Sequence, residues 1–263
     1  MLTVVKNELK VMMLTFKYNT MREMLNRGTF LLSTVMMILN DAAFIIQWII
    51  LFMVKDDFGG LDLHSVMLLW GLAASSFGLA SLFFHNGMFL SEDIVDGKLD
   101  ALLVQPKSVL LQALSSKSEA SAFGDLIYGF IMLFLSGITV QKFFLFLLFT
   151  ICGCIIITSF RVIVHSSAFF FGRIDLFVDN LSSLVTNFAT YPDIFKGIVR
   201  AALYTIIPIA ISAYLPVRIM NEFNISIFIY IIVGTLIFAL VATFIFYSGL
   251  KRYASSNLFN ARI

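Results

Sequence analysis

The stretch TFLLSTVMMILNDAAFIIQWIILFMV, residues 29–54, settles the class of protein before any motif is considered. It is longer than the roughly 20 apolar residues that cross a hydrocarbon core of about 30 Å, and Asp41 is its one charged residue. The rest of the chain agrees. Of 263 residues 60% are hydrophobic, 29 are Phe and only 13% are charged, against about 25% charged in an average soluble domain. This is the composition of an all-α membrane protein, and a net charge of +2 is too small to suggest nucleic acid as a partner.

Working outward from that first span, Val5, Leu9, Met12 and Phe16 recur at helical spacing with Lys6, Lys10 and Lys17 off the stripe, so residues 1–28 are expected to hold an amphipathic helix lying in the membrane interface. The lysines run through the first turns instead of preceding an uninterrupted apolar segment, and the N-terminus is expected to stay on the protein. Downstream, apolar runs mark spans at residues 64–84, 120–140, 143–166 and 225–249, with the short hairpin GITVQK between the third and fourth. Residues 91–117 are too polar to cross.

Orientation follows from basic residues near the span ends. Lys6, Lys10, Lys17, Arg22 and Arg27 precede the first span, and Lys251, Arg252 and Arg262 follow the last, whereas the loop KDDFGGLD is acidic. Both ends are expected to be cytoplasmic, which requires an even number of spans. Lys98, Lys107 and Lys117 place residues 91–117 on the same side. The fifth span has two readings. Either residues 198–215 cross and 174–195 is a cytoplasmic amphipathic segment, or residues 174–190 cross and 191–222 form a partly buried external loop. Pro192, Pro208 and Pro216 are three of the chain's four prolines, and each removes a backbone donor that a continuous lipid-facing helix needs. Broken, re-entrant helices fit better, and the second reading is preferred. It turns Asp175, Asp179, Ser182, Ser183 and Thr186, which share one helical face, toward protein or a water-filled path.

Polar groups inside the spans narrow the chemistry further. A charge at bilayer depth costs at least about 2.5–3.5 kcal/mol, so Asp41 and Gln47 in the first span, Asp125 in the third and Arg161 near the end of the fourth are expected to face the bundle interior. For Asp41 a role in a translocation path or subunit interface stands beside simple interhelical hydrogen bonding. Gly71, Ala74, Ser75 and Gly78 form small-xxx-small pairs suited to close helix packing, more simply within one subunit than between two. Cys152 and Cys154 lack redox spacing and read as packing residues. His64, His85 and His165 lie near span ends without ligand spacing, and no metal site is expected. No phosphate-binding loop GxxxxGK[ST] and no nucleophile–base set occurs, so neither ATP hydrolysis nor a membrane hydrolase is expected of this chain.

Between the second and third spans stands SEDIVDGKLDALLVQPKS, residues 91–108. Ser91 fits an N-cap, with Glu92 and Asp93 in the first turn. Val95, Leu99, Leu102 and Leu103 align on one face, and Pro106 ends the helix. The expectation is one short amphipathic helix whose apolar face rests on the bundle while Asp93, Asp96 and Asp100 point outward, either to dock a soluble partner or as a solvated loop.

Asp93 to Pro106, DIVDGKLDALLVQP, resembles the cytoplasmic segment G-x-LD-x-LL-x-x-P of the ABC-2 type exporter permeases, in the branch called the ABC-2 family transporter protein. The resemblance continues in VHSSAFFFGR (Val164–Arg173), in YPDIFKGIVRAALYTIIPIAISAYLPVRIM (Tyr191–Met220) and in FYSGLKRYASSN (Phe246–Asn257). It implies a type V exporter-like fold of six spans with cytoplasmic ends in a bacterial cell membrane, a separate ABC ATPase that holds ATP and Mg, and a second permease subunit, like or unlike. It also implies that Gly97, Leu99, Asp100, Leu102, Leu103 and Pro106 belong to a segment coupling permease to ATPase. Tyr191, Pro192, Arg200, Pro208 and Pro216 would belong to external re-entrant helices. The substrate it would export, whether lipid, drug or peptide, is not legible. A self-contained channel or secondary transporter is the alternative reading.

Overall fold

The computed structural model describes residues 2–54, 61–173, 177, 178, 180, 181, 197 and 210–254, and its regular elements among them are helical. In chain order these are α1 (Leu2–Glu23), α2 (Arg27–Phe52), α3 (Leu63–Phe84), α4 (Leu90–Val95), α5 (Asp100–Leu103), α6 (Val109–Ser115), α7 (Ala122–Leu135), α8 (Val140–His165) and α9 (Ala168–Phe171). After a π-helical turn at Ala210–Tyr214 follow α10 (Leu215–Asn221) and α11 (Ile225–Leu250). The expected span 174–190 and most of the external segment 191–222 lie outside the described residues, and with them Asp175, Asp179, Thr186, Tyr191, Pro192, Arg200 and Pro208.

Among the described residues, four helical segments are long and apolar enough to cross a membrane: Arg27–Phe52, Leu63–Val95, Val140–Phe171 and Ile225–Leu250. Side-chain caps fix where the long helices start. Asn26 accepts from the Thr29 N–H at 3.2 Å, Asp62 from Ser65 at 3.0 Å, Thr139 from Lys142 at 3.2 Å and Asn224 from Ser226 at 2.9 Å. Each satisfies a backbone donor that the first turn leaves open. The bonds from Ser65 also hold the Asp62 carboxyl below the usual range.

The third apolar helix is shorter than its sequence suggests. Residues 120–140 are apolar enough to span, yet α7 has 14 residues, about 21 Å at 1.5 Å per residue. At its start the Glu119 N–H is bonded to the Ser81 carbonyl at 3.2 Å and the Ser121 hydroxyl to Glu119 at 3.0 Å. At its end Gly137 takes φ +86°, the left-handed conformation that stops a helix.

What α7 lacks in length it recovers in contact. A methyl group placed on Gly78 would sit 2.9 Å from the Ala122 carbonyl oxygen, and one on Gly71 3.0 Å from that of Gly129. Gly124 in turn lies against Thr34 and Met37 of α2. Helix α7 is therefore wedged between α2 and α3, and Gly71, Ser75 and Gly78 serve packing within this chain. Around that seam Leu68, Leu72, Tyr128, Leu133, Phe146 and Phe149 form the main core. Cys152 and Cys154 are buried and unbridged, as packing residues should be. By contrast α2 and α11 present apolar side chains outward, among them Leu32, Val35, Leu240 and Phe244.

Helix α1 corrects the expected stripe. Leu9 is half exposed, and the side that meets the protein instead carries Glu8, Met12, Phe16 and Asn19, with Phe16 against Phe83 at 4.5 Å between ring centroids. Two polar residues on the inward face are tolerable because each finds a partner in the layer described next.

Candidate functional site

The segment between α3 and α7 is a layer of short helices across the ends of the long ones. The chain leaves α3 through a 3-10 turn at His85–Phe89 and enters α4. That helix ends at Gly97, whose φ of +74° is reached readily only by glycine. The Gly97 N–H donates to Ile94 O at 3.4 Å and the Lys98 N–H to Asp93 O at 3.0 Å, the paired bonds of a Schellman ending. The expected single helix over residues 91–108 is thus two helices, α4 and α5, joined by a sharp break. Its cap also differs: Ser91 is not the N-cap, because α4 starts after Phe89 and Ser91 is buried inside it.

That break decides which side chains point where. Leu99 drops into an apolar cluster with Leu90, Ile94, Leu110, Leu114, Phe169 and Phe246 and is fully buried. Leu102 and Val95 are half-buried against it. Leu103, expected on this inner face, is instead 44% exposed, and Val104 beside it is 84% exposed. Asp93, expected outward, is 7% exposed. Its carboxylate accepts from Asn86 Nδ2 at 2.6 Å and pairs with Lys98 Nζ at 3.1 Å, which makes the burial of a charge tolerable. The same Asn86 amide donates to the Ala113 carbonyl of α6 at 2.8 Å. Lys98 also meets Asp96 at 3.2 Å, and the hydrogen bond it donates to Asp93, ahead of the Asp96 contact, pushes its ammonium pKa up. Asp96 and Asp100 do face outward, as expected, and Asp96 reaches Arg173 at 3.5 Å. Pro106 lies exposed in the turn between α5 and α6.

Every neighbouring long helix is tied to this layer. The Ser91 hydroxyl meets His165 Nδ1 of α8 at 3.0 Å. Ser108, the N-cap of α6, donates its N–H to Glu8 of α1 at 3.0 Å and has its hydroxyl 3.1 Å from that of Tyr247 of α11. Asn19 of α1 donates to the Ser116 carbonyl at 3.1 Å, and His85 meets Glu119 at 3.3 Å ahead of α7. Tyr253, just beyond α11, lies beside Asp100; burial first, and that carboxylate second, raise its pKa. The outer surface left over is Asp96, Asp100, Leu103 and Val104: an apolar tip flanked by acids. Short polar contacts join the layer behind this surface to α1, α8 and α11.

None of these ties was foreseen in the sequence, since the partners stand far apart along the chain. The Gly97 ending was missed too, although a glycine after a short acidic-start helix is a signal that could have found it.

Within the membrane-crossing part, Asp41 of α2 and Asp125 of α7 come together. Asp41 stands one turn beyond Met37, which packs on Gly124 of α7, and Asp125 directly follows that glycine. Asp125 is 2% exposed, whereas Gln47 is exposed on the side of α2 away from the core. Arg161 is buried with its guanidinium 4.9 Å from the Phe77 ring. Pro216 is buried in the first turn of α10, where its missing N–H leaves nothing unsatisfied. Asn221 at the other end of that helix donates to Ser65 at 2.6 Å. Among the described residues no group of three or more His, Cys, Asp or Glu side chains is placed to hold a metal.

Comparison with known proteins finds one family: the model described as ABC-2 family transporter protein matches residues 37–257. No curated protein and no solved structure matches the chain.

Proposed function

The chain belongs to the ABC-2 transporter family and is a membrane protein, and from that premise we propose that it is the permease subunit of an ATP-driven exporter. The observation that carries this reading is the layer over α4 to α6, with an acidic and apolar outer tip and short polar ties to α1, α8 and α11. A separate ABC ATPase, holding ATP and Mg, docks on that tip. Closure of two ATPases presses on it, and the ties convert the push into a shift of long helices that opens a path at a subunit interface to alternate sides of the membrane. The second subunit is another permease of the same kind. Residues 91–117 and both chain ends are cytoplasmic, and the location is the bacterial cell membrane. Asp175, Asp179 and Thr186 line the fifth span's polar face, and Tyr191, Pro192, Arg200 and Pro208 the external segment. The cargo is lipophilic.

Charge reversal at the tip tests the docking role. Asp96→Lys with Asp100→Lys removes exposed contacts and is expected to change folding by no more than about 1 kcal/mol. Association with the ATPase should nevertheless weaken at least about tenfold, with ATP turnover uncoupled from export. Copurification and turnover in reconstituted membranes read both. Unchanged association and export would leave the layer without a docking role. Transport by this chain alone without ATP would indicate a self-contained carrier.

Orientation is tested by labelling. A cysteine at Gln105 is expected to resist an impermeant thiol reagent in intact cells, while one at Gln141, exposed in the first turn of α8, should react. The reverse pattern inverts the proposed topology.

A further inference from the structure

Helix α2 carries a polar patch that neither lipid contact nor packing explains. Asn40 and Gln47 are exposed near the middle of a 26-residue apolar helix, where a carboxamide facing hydrocarbon is costly. Phe44, 43% exposed, lies between them at helical spacing and stacks on Trp70 of α3 with ring centroids 5.4 Å apart. Behind this rim, about one turn beyond the contact of Gly124 with Thr34 and Met37, stand Asp41 of α2 and Asp125 and Tyr128 of α7. Among the described residues no Lys or Arg is paired with either aspartate. Asp41 Oδ2 and the Tyr128 hydroxyl are buried without a hydrogen-bond partner among the described residues. Tyr128 is 2% exposed and within electrostatic reach of Asp41.

We propose that Asp41, Asp125 and Tyr128 form a recognition site for the ammonium group of a cationic amphiphile, reached across the rim of Asn40, Phe44 and Gln47. An alkylammonium brings three N–H donors and a positive charge, matching two carboxyl groups and a phenol oxygen that have no cation of their own. Its apolar body rests on the Phe44–Trp70 stack, where the ring faces also attract positive charge. A metal ion is a poorer match, since no third acidic, His or Cys ligand stands with the pair among the described residues. The proposal deepens the exporter reading by naming the cargo class, and in its use as a cargo site it rests on that reading.

The test uses the full chain with its ATPase in lipid nanodiscs and two fluorescent dansyl amphiphiles, one ending in a primary alkylammonium and the other in its N-acetylated, neutral form. The ammonium probe is expected to bind saturably and at least about tenfold more tightly than its neutral twin, the scale of a charge-assisted hydrogen bond. Asp41→Asn with Asp125→Asn should abolish that preference. Phe44→Leu, at the exposed rim and without consequence for the fold, should reduce it about threefold. Equal binding of the two probes overturns the proposal, as does a folded double variant that keeps the preference. If the double variant does not fold, an undiminished preference in Phe44→Leu overturns it. ATPase copurification in the same preparations separates the two readings. Preference lost from the start with copurification kept sinks the site alone, and the opposite result sinks the exporter reading alone.

Discussion

Leu99→Asp is expected to destroy the layer of short helices between α3 and α7. Leu99 is fully buried in the cluster that seats α4, α5 and α6 on α8 and α11. The substitution forfeits roughly 2 kcal/mol of apolar burial and places a carboxylate among Leu90, Ile94, Leu110 and Phe169 with no partner. Together these cost at least about 4 kcal/mol locally, enough to detach the layer while the long helices remain inserted. The expected result is a protein that reaches the membrane in normal amounts, no longer copurifies with its ATPase and exposes residues 91–117 to protease. Normal copurification and normal protease resistance would show that the layer is not seated by this cluster. The contrast with Asp96 and Asp100 is the informative part, because those exposed changes should weaken docking without loosening the layer.

Gly129→Val should have the largest effect on the bundle itself. A methyl group at this position overlaps the Ser75 hydroxyl and lies 2.6 Å from the Gly71 carbonyl oxygen. A flexible side chain can yield, but the opposing backbone of α3 cannot, and α7 is held on its other side by α2 at Gly124. Forcing the helices apart costs at least about 2–3 kcal/mol and separates Asp125 from its place against Gly78 as well. Loss of a monodisperse elution profile, or a fall in apparent melting temperature of many degrees in detergent, is the expected measurement. The same substitution at Gly137, where a side chain would meet open space, brings backbone strain without overlap and should cost less.

Four apolar spans, the family and the place of the polar layer between the second and third runs were legible in the sequence. So were the packing role of Gly71 and Gly78 and the packing role of the cysteines. These are properties of short windows: transfer of an apolar run out of water is nearly additive along the chain, caps act within four residues, and small-xxx-small spacing shows on one helix face. The length of α7 was misread because apolar sequence continues past the glycine at 137 that ends it.

Composition and periodicity by themselves thus determined a helical membrane protein, its apolar runs at residues 29–54, 64–84, 143–166 and 225–249 and a polar layer between the second and third runs. Only the tertiary structure decided that Asp93 is inside and Leu103 outside, that Glu8 and Asn19 face protein, and that Asp41 meets Asp125. An amphipathic pattern ranks faces by apolarity, and a buried carboxylate defeats that ranking whenever Asn86 and Lys98 satisfy it. Whether such partners arrive is a matter of three-dimensional proximity between residues distant in sequence, which no local window contains.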